Sequence, residues 1–205
     1  MREMTKRERI LATIKGEEVD RVPVSFFGHN YASETSPDNL AKHLIEQNEK
    51  FDWDFIKVQP RTSYFNEAWG CKYRFSTKAA PQMEDYVVKS AEDFTKLEKL
   101  DPKKGILGEQ VKVAELLNET LAGAVPYVQT VFSPMTIARR LTGTKDRDLS
   151  ETEPIKRFMK ENPEELHQGL SIISKTLSEY VRDSVREQVL SVFFLLLQFG
   201  HHLML

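Results

Sequence analysis

The sequence predicts an α/β fold with a parallel sheet, and three observations support this prediction. A predicted strand is followed by a predicted helix three times along the chain. Residues 127–132 are β-branched and aromatic, which is typical of a buried strand. Ser133 and Pro134 follow directly and suit the N-cap and the first turn of a helix. Because parallel strands need long crossovers, this order favours a sheet with helices on one or both faces.

The composition is that of a globular protein without a strong net charge. The 205 residues include 29 Lys and Arg against 31 Asp and Glu, a formal net charge of −2. With this balance of charge, the chain has no strong positive electrostatic field to attract polyanions. Nucleic acid is therefore not expected as a partner. Hydrophobic residues make up 40% of the chain, which is enough for a core. We expect a single domain over residues 1–205.

The cysteine content and the N-terminal residues indicate the cellular compartment of the protein. Cys71 is the single cysteine, which excludes an internal disulfide and a zinc site built from several cysteines within these residues. Residues 1–9 are charged and lack the apolar core of a signal peptide. Both observations predict a cytoplasmic protein.

The first predicted unit is a helix followed by a strand. Thr5 and Glu8 form a capping box, and Gly16 ends the helix that they begin. Residues 20–27 pass into an apolar run, which we interpret as the first strand. Residues 28–31 break that run with polar groups and are predicted to form the loop at its carboxyl end.

The second unit begins with a helix over residues 36–50, capped by a serine that precedes a proline. Residues 54–59 are predicted to be the second strand. Residues 71–75 and 86–88 look extended and are interpreted as an excursion from the main sheet. A short helix is expected over residues 90–100.

The third unit contains a helix over residues 108–121, the strand at residues 127–132 and the helix that ends at Gly143. Residues 144–153 are polar and either cover the site or form a surface loop. Further helices are predicted over two proline-headed segments, residues 154–160 and 163–186.

The last stretch, residues 188–205, has an atypical apolar composition. Residues 192–197 are continuously apolar, but a membrane span needs roughly 20 such residues, so a buried strand or helix end is favoured over a membrane anchor. His201 and His202 make a weak metal pair because neighbouring residues of a strand face opposite ways. The sequence predicts neither a metal site nor a membrane partner.

Three segments carry a resemblance to a known family. Residues 7–16 read RERILATIKG and are followed by DRVPV at 20–24, which resembles an opening helix and an Arg-x-Pro-Val first strand. EAWG at 67–70 resembles a Glu-Ala-x-Gly loop end, and FSPMTIARRLTG at 132–143 resembles a Gly-Ala-Pro-Trp-Thr-Leu signature. In this order the segments resemble the uroporphyrinogen decarboxylase family, which also includes corrinoid-linked methyltransferases. The resemblance covers nearly all of residues 5–186.

The resemblance implies a single (β/α)8 barrel of the TIM type, with the ligand at the carboxyl ends of the strands. Such barrels need about 250 residues, so 205 residues imply an incomplete barrel. In the family, a helix like residues 163–186 leads through a Gly or Ala turn into the next strand, and this turn is missing here. We therefore hypothesise that the chain is truncated, with an altered reading frame near Glu187.

The catalytic positions of the family are substituted in this chain. The resemblance places the family's substrate-binding arginines within residues 28–32, which read GHNYA. It places the essential aspartate on Arg61 and the site tyrosine on Arg140. The framework positions match while these polar positions differ, so the resemblance supports the fold more than it supports decarboxylation of uroporphyrinogen itself.

The replacing residues are predicted to share one mouth at the carboxyl ends of the strands. The catalytic candidates are His29, Arg61 and Arg140, and the substrate-binding candidates are Asn30, Gln59, Tyr64, Ser133 and Thr136. Guanidinium groups and the free N–H groups of a helix N-terminus suit a carboxylate or a phosphate.

Some of these candidates have a simpler structural interpretation. His29 could be a hydrogen-bonded loop histidine, Arg61 could form a surface ion pair with Glu67, and Tyr64 could be a packing residue. Arg139 and Arg140 are adjacent and cannot share a helix face, so one of them is expected to point to solvent.

Three functional hypotheses follow. The first is a carboxy-lyase that acts without a cofactor on a tetrapyrrole or a related carboxylate ligand by electrostatic stabilisation. The second is a corrinoid-linked methyltransferase, which by resemblance would use zinc and a corrinoid. The third is an inactive, truncated barrel. The expected partner is a small anionic substrate, and the sequence leaves a homodimer open.

Overall fold

The computed structural model of the chain describes residues 2–144 and 153–186. The helices in these ranges are α1 (Lys6–Lys15), α2 (Pro37–Phe51), α3 (Tyr64–Ala68), α4 (Glu92–Thr95), α5 (Gly105–Leu121), α6 (Pro134–Leu141), α7 (Pro154–Glu161) and α8 (Pro163–Arg186). A short 3-10 helix spans Ser33–Thr35. The strands are β1 (Ile56–Val58), β2 (Lys72–Arg74), β3 (Gln82–Asp85) and β4 (Tyr127–Gln129). The expectations for residues 145–152 and 188–205 lie outside the described residues.

β1 and β4 form a parallel pair, with Ile56 opposite Tyr127 and Val58 opposite Gln129. Ile56 and Val58 are fully buried against side chains of α2 and α5. Lys57 lies between them and therefore faces the other side of the strand. The predicted parallel arrangement is confirmed for these two strands, and the described residues form a mixed α/β fold.

The predicted first strand, residues 22–27, is not paired as a strand. Its backbone runs beside β1, where Val24 O accepts a hydrogen bond of 2.8 Å from Asp54 N. Pro23 has no N–H to donate, and Phe26 and Phe27 are largely exposed. The strand prediction is wrong because this single backbone bond is not extended into a ladder.

The predicted excursion from the main sheet is confirmed. β2 pairs with β3 in a separate antiparallel sheet, with a register shift after Lys72. The second strand lies at Gln82–Asp85 rather than at residues 86–88. Val88 instead turns into the core, where it is buried and its N–H donates to Leu141 O at 3.0 Å.

α6 begins as the sequence predicts. Ser133 Oγ accepts a hydrogen bond of 3.1 Å from Thr136 N, and Pro134 occupies the first turn. α6 ends at Leu141, and Gly143, two residues later, has a φ of 76°. This left-handed conformation favours glycine, so the residue also explains where the helix stops.

α4 is shorter than the helix predicted over residues 90–100. It ends at Thr95, and the chain beyond it packs against α8 instead of continuing the helix. Leu100 N donates to the buried Thr176 Oγ1 at 3.1 Å. A tertiary hydrogen bond thus replaces the helical bond that local sequence favours.

The larger part of the core lies between α3, α6 and α8. Tyr64, Phe65 and Tyr180 are fully buried there, and Phe65 meets Tyr180 edge-on with ring centroids 5.6 Å apart. Such aromatic contacts add to the free energy of burial. Across residues 2–144 and 153–186, no helix combines the length and apolar character needed to cross a bilayer.

Gly169 allows α4 to approach α8 closely. A Cβ at this position would lie 2.6 Å from Cδ1 of Phe94, which is fully buried and cannot move away. We expect Gly169→Ala to lower the free energy of unfolding by about 1–3 kcal/mol despite the better helix propensity of alanine. Urea unfolding measures the change. The exposed neighbour Gln168→Ala is the control, and an equal or greater stability for Gly169→Ala would contradict the close contact.

A buried group of charges joins α1 to the start of β1. Asp54 accepts hydrogen bonds from Arg9 Nη1 at 2.6 Å, from Arg21 Nη1 at 2.5 Å and from Val24 N at 2.7 Å. Asp20 accepts from Arg9 Nε at 2.6 Å, and this bond is the main reason that the pKa of Asp20 lies well below its usual value. These residues hold the DRVPV segment against the N-terminal end of the parallel pair.

Candidate functional site

A cavity of about 520 Å³ lies at the carboxyl end of β1. Its walls come from the 26–31 loop, from α2, from β1 with Gln59, and from Thr77 and Lys78 in the connection between β2 and β3. The site predictions expected a mouth at this end of the strands. Three of the eight predicted residues, His29, Asn30 and Gln59, line the cavity.

The side chains that line this cavity carry positive rather than negative formal charge. Lys57 and Lys78 line it together with His29 and His43. No Asp or Glu of the described ranges lines it. Aromatic side chains form much of the remaining wall, namely Phe26, Phe27, Tyr31 and Trp53. The cavity therefore suits a ligand with negative charge and flat apolar surfaces.

His29 is held on both ring nitrogens. Nδ1 lies 2.8 Å from Glu34 Oε1, and Nε2 lies 3.2 Å from Gln59 Nε2. Its ring also stacks on Tyr31, with centroids 5.5 Å apart. The 3-10 helix positions Glu34 for this bond, and Glu34 is buried. His29 is thus a hydrogen-bonded loop histidine that also lines the cavity, and its catalytic role stays a prediction.

Glu34 and Gln59 favour one tautomer of the neutral imidazole. A carboxylate accepts, so Nδ1 of His29 carries a proton toward Glu34. Nε2 then accepts from the Gln59 amide. Gln59 Oε1 and Glu34 Oε2 are buried without a hydrogen-bond partner among the described residues. Buried polar atoms of this kind are rare and call for an explanation.

Arg61 does not reach the cavity. Its Nε donates to both oxygens of Glu67 at 2.9 and 3.0 Å, while its other nitrogens reach Glu109 Oε2 at 3.2 Å and Glu34 O at 3.1 Å. Burial opposes its charge, but the bonds to Glu67 and Glu109 outweigh this and raise the pKa of Arg61. The predicted ion pair with Glu67 is present, but it is buried rather than on the surface.

Arg140 and Tyr64 are placed in the packed core rather than at the mouth. Arg140 Nη1 donates to Thr62 O at 2.7 Å, and its guanidinium lies 4.4 Å from the Phe132 ring centroid. Tyr64 OH donates to Thr130 O at 2.7 Å, and burial raises the pKa of this tyrosine well above its usual value. The structure therefore does not bring these two residues to the cavity.

Ser133 and Thr136 are also away from the cavity wall. Their hydroxyl groups lie 2.9 Å apart at the start of α6, where the Ser133 hydroxyl caps the helix. The expectation that Arg139 or Arg140 points to solvent is wrong. Arg139 forms an ion pair with Glu153, and Arg140 is buried. The sequence predicted that all eight residues would share one site. In the structure, only three of the eight, His29, Asn30 and Gln59, line the cavity.

The cavity or support residues that escaped the site predictions include four with acidic or basic side chains, namely Glu34, His43, Lys57 and Lys78. Lys57 did leave a signal, since it is a charged residue inside an otherwise apolar strand segment. His43 lies on α2, and Asn30 Nδ2 donates to its Nδ1 at 3.4 Å. No local pattern marks the other three residues as part of a site.

The described ranges contain no group of three or more His, Cys, Asp or Glu side chains placed to hold a metal ion. Cys71 is buried, and this burial raises the pKa of its thiol to about 11. A thiol of this kind is a poor metal ligand and a poor nucleophile at neutral pH. The residues described here therefore do not supply the zinc site that the methyltransferase hypothesis would require.

Comparisons with known proteins agree with the fold and with the sequence resemblance. A methyltransferase from Methanosarcina mazei has a similar structure, with a TM-score of 0.72 and 22% sequence identity over 91% of this chain and 57% of that chain. The present chain thus spans a little over half the length of that protein, and at this identity the likeness concerns the fold. No curated protein matches significantly. The family model for uroporphyrinogen decarboxylase (URO-D) matches residues 5–194. The chain therefore belongs to the uroporphyrinogen decarboxylase family.

Proposed function

We propose that this chain belongs to a carboxy-lyase that binds a carboxylate-bearing ligand of the tetrapyrrole class in the cavity beside His29. The observation that carries the proposal is the charge of the cavity, which lysine and histidine side chains line without any Asp or Glu of the described residues. We further infer that β1 and β4 are strands of a (β/α)8 barrel, because the cavity lies at the carboxyl end of β1, where such barrels bind ligands.

In this proposal, Lys57 and Lys78 bind the anion, whereas the sequence analysis assigned that role to arginines. Arg61 uses its donors on Glu67, on Glu109 and on a backbone oxygen. Lys57 and Lys78 approach the cavity from β1 and from the connection between β2 and β3. Two cations on separate elements can hold two carboxylates of one ligand.

His29 is the proposed proton donor. When the ligand loses CO2, the electron pair of the broken C–C bond stays on the ligand carbon, and this carbon takes a proton from Nε2 of an imidazolium. Glu34 stabilises that imidazolium through the bond to Nδ1. Gln59 can serve both states of His29: its amide nitrogen donates to neutral Nε2, and its oxygen accepts from protonated Nε2 after a rotation of the amide.

Anaerobic incubation with uroporphyrinogen tests the proposal directly. We expect products with fewer carboxylates, separated by chromatography after oxidation to porphyrins. Binding is measured separately by quenching of uroporphyrin fluorescence, with its neutral methyl ester as a control for apolar adsorption. We expect Lys57→Met with Lys78→Met to weaken binding severalfold, since Lys57 is half-buried, Lys78 is exposed, and an ion pair in contact with solvent contributes about 0.2–1 kcal/mol.

The exposed Lys112→Met is the matched control, because Lys112 lies on α5 and pairs with Glu115 at 3.3 Å. Equal binding by the double variant and by this control would reject the cavity as the anion site. Absence of product with intact binding would reject the carboxy-lyase reaction alone.

A corrinoid-linked methyltransferase is the second candidate, and the similar structure of the Methanosarcina mazei methyltransferase is the observation that favours it. Methylcobalamin, followed by its visible spectrum in the presence of zinc and a thiol, distinguishes the candidates. Demethylation of the corrinoid without turnover of uroporphyrinogen would favour this second function over the first.

A further inference from the structure

Lys57 is an unusual lysine because it lines the cavity from the middle of a strand whose other residues are buried. It is the middle residue of β1, between the fully buried Ile56 and Val58, so its backbone position is firmly set. Its Nζ sits 3.3 Å from the centroid of the Phe27 ring. Phe27 also lines the cavity, so this contact places the amine of Lys57 beside the cavity wall.

Lys57 also lacks a neutralising partner. No Asp or Glu side chain of residues 2–144 or 153–186 forms an ion pair with it. The titratable groups that share the cavity with it are His29, His43, Lys78 and Tyr31, and none of these is an anion at neutral pH. Burial lowers the pKa of Lys57, so a larger share of its amine is neutral than at an exposed lysine.

We propose that Lys57 is a nucleophile that condenses reversibly with the carbonyl carbon of an anionic aldehyde or ketone bound in this cavity. The proposal rests on the anion-binding part of the proposed function and adds a covalent step to it. The nitrogen lone pair forms a bond to the carbonyl carbon. The carbonyl oxygen leaves as water with the two hydrogens of the neutral amine, and the product is an imine. No electrons are exchanged with another molecule, so no oxidant or reductant is needed.

Pyridoxal 5′-phosphate is a suitable probe because it combines an aldehyde with an anion on a flat ring. The full chain is incubated with a limiting amount of the probe, the imine is reduced with borohydride, and the modified peptides are identified by mass spectrometry. We expect one dominant modification, at Lys57, formed faster than at the exposed Lys112, because Lys57 lines the cavity that binds the probe and burial lowers the pKa of its amine. Labelling spread evenly over exposed lysines would overturn the proposal.

Two variants support the assignment. Lys57→Arg keeps the positive charge but cannot form an imine, so the dominant modification should disappear, whereas Lys112→Arg should keep it. Circular dichroism checks that each variant is folded. Persistence of the dominant modification in Lys57→Arg would overturn the proposal, and the peptide map of the unaltered chain tests it even if this variant does not fold.

Pyridoxine 5′-phosphate separates this proposal from the proposed function. It carries the same ring and phosphate but no aldehyde, so it can occupy the cavity without condensing. If it binds and competes with uroporphyrin while the aldehyde probe does not modify Lys57, the covalent step is rejected and the anion site stands. If neither compound competes with uroporphyrin, the shared anion site itself is rejected.

Discussion

Replacing Asp54 by asparagine is expected to lower the free energy of unfolding by about 3–5 kcal/mol, because it leaves buried arginine charge without its partner. Asp54 is fully buried and accepts bonds from Arg9, from Arg21 and from Val24 N. Arg9 is itself buried and, among the residues that the structure describes, would keep only Asp20 as an acidic partner. Urea unfolding followed by circular dichroism measures the loss.

Asp52→Asn is the matched control. Asp52 pairs with Lys6, but its side chain is 78% exposed, and asparagine tolerates its left-handed backbone with a φ of 52°. This variant should therefore change stability by less than about 1 kcal/mol. Equal losses from both variants would show that the buried network contributes no more than a surface pair.

The contribution of Asp54 should depend on pH. Burial disfavours its ionised form, but hydrogen bonds from Arg21, from Val24 N and from Arg9 outweigh this effect, so the pKa of Asp54 is lowered on folding. A lowered carboxylate pKa stabilises the folded state fully above the unfolded value of about 3.9, and this stabilisation is lost as the pH falls through the folded pKa. The difference between the chain and Asp54→Asn should accordingly shrink in acid.

Replacing His29 by glutamine is expected to lower kcat for decarboxylation by about 10²–10⁴-fold, the range that a positioned proton donor contributes. Glutamine can keep a hydrogen bond to Glu34 but cannot deliver a proton. Because the charges of Lys57 and Lys78 remain in the cavity, KM should change much less than kcat. Steady-state kinetics with uroporphyrinogen measure both constants.

His167→Gln is the control for His29, since His167 lies exposed on α8 and does not line the cavity. It should retain the activity of the unaltered chain. Turnover by His29→Gln at the same rate would remove His29 as the proton donor and leave it as a structural residue of the loop.

The loop that carries His29 shows how far sequence reasoning reaches into the site. The polar break at residues 28–31 pointed to His29 and Asn30, and both residues line the cavity. Glu34 escaped notice because a carboxylate in a polar loop has no distinguishing pattern. Its role depends on the 3-10 turn that brings it within 2.8 Å of the imidazole.

Arg61 and Arg140, in contrast, were predicted to lie in the site but do not line the cavity. The family resemblance placed Arg61 and Arg140 at the functional positions, and their charge made an anion site plausible. Their actual partners are Glu67 and Glu109 for Arg61 and the Thr62 carbonyl for Arg140. The choice among several possible acceptors depends on how α3 and α5 pack, which one sequence does not specify.

The sequence by itself determined the helix starts at Thr5, Ser36 and Ser133, the parallel direction of β1 and β4 and, through the resemblance of three segments, the family. The helix starts follow from contacts between residues about three apart, and such contacts can be read directly from the order of residues. Only the tertiary structure decided which polar groups share the cavity. Its contacts join residues far apart, as from His29 to Gln59, and their partners are selected by packing and burial rather than by local preference.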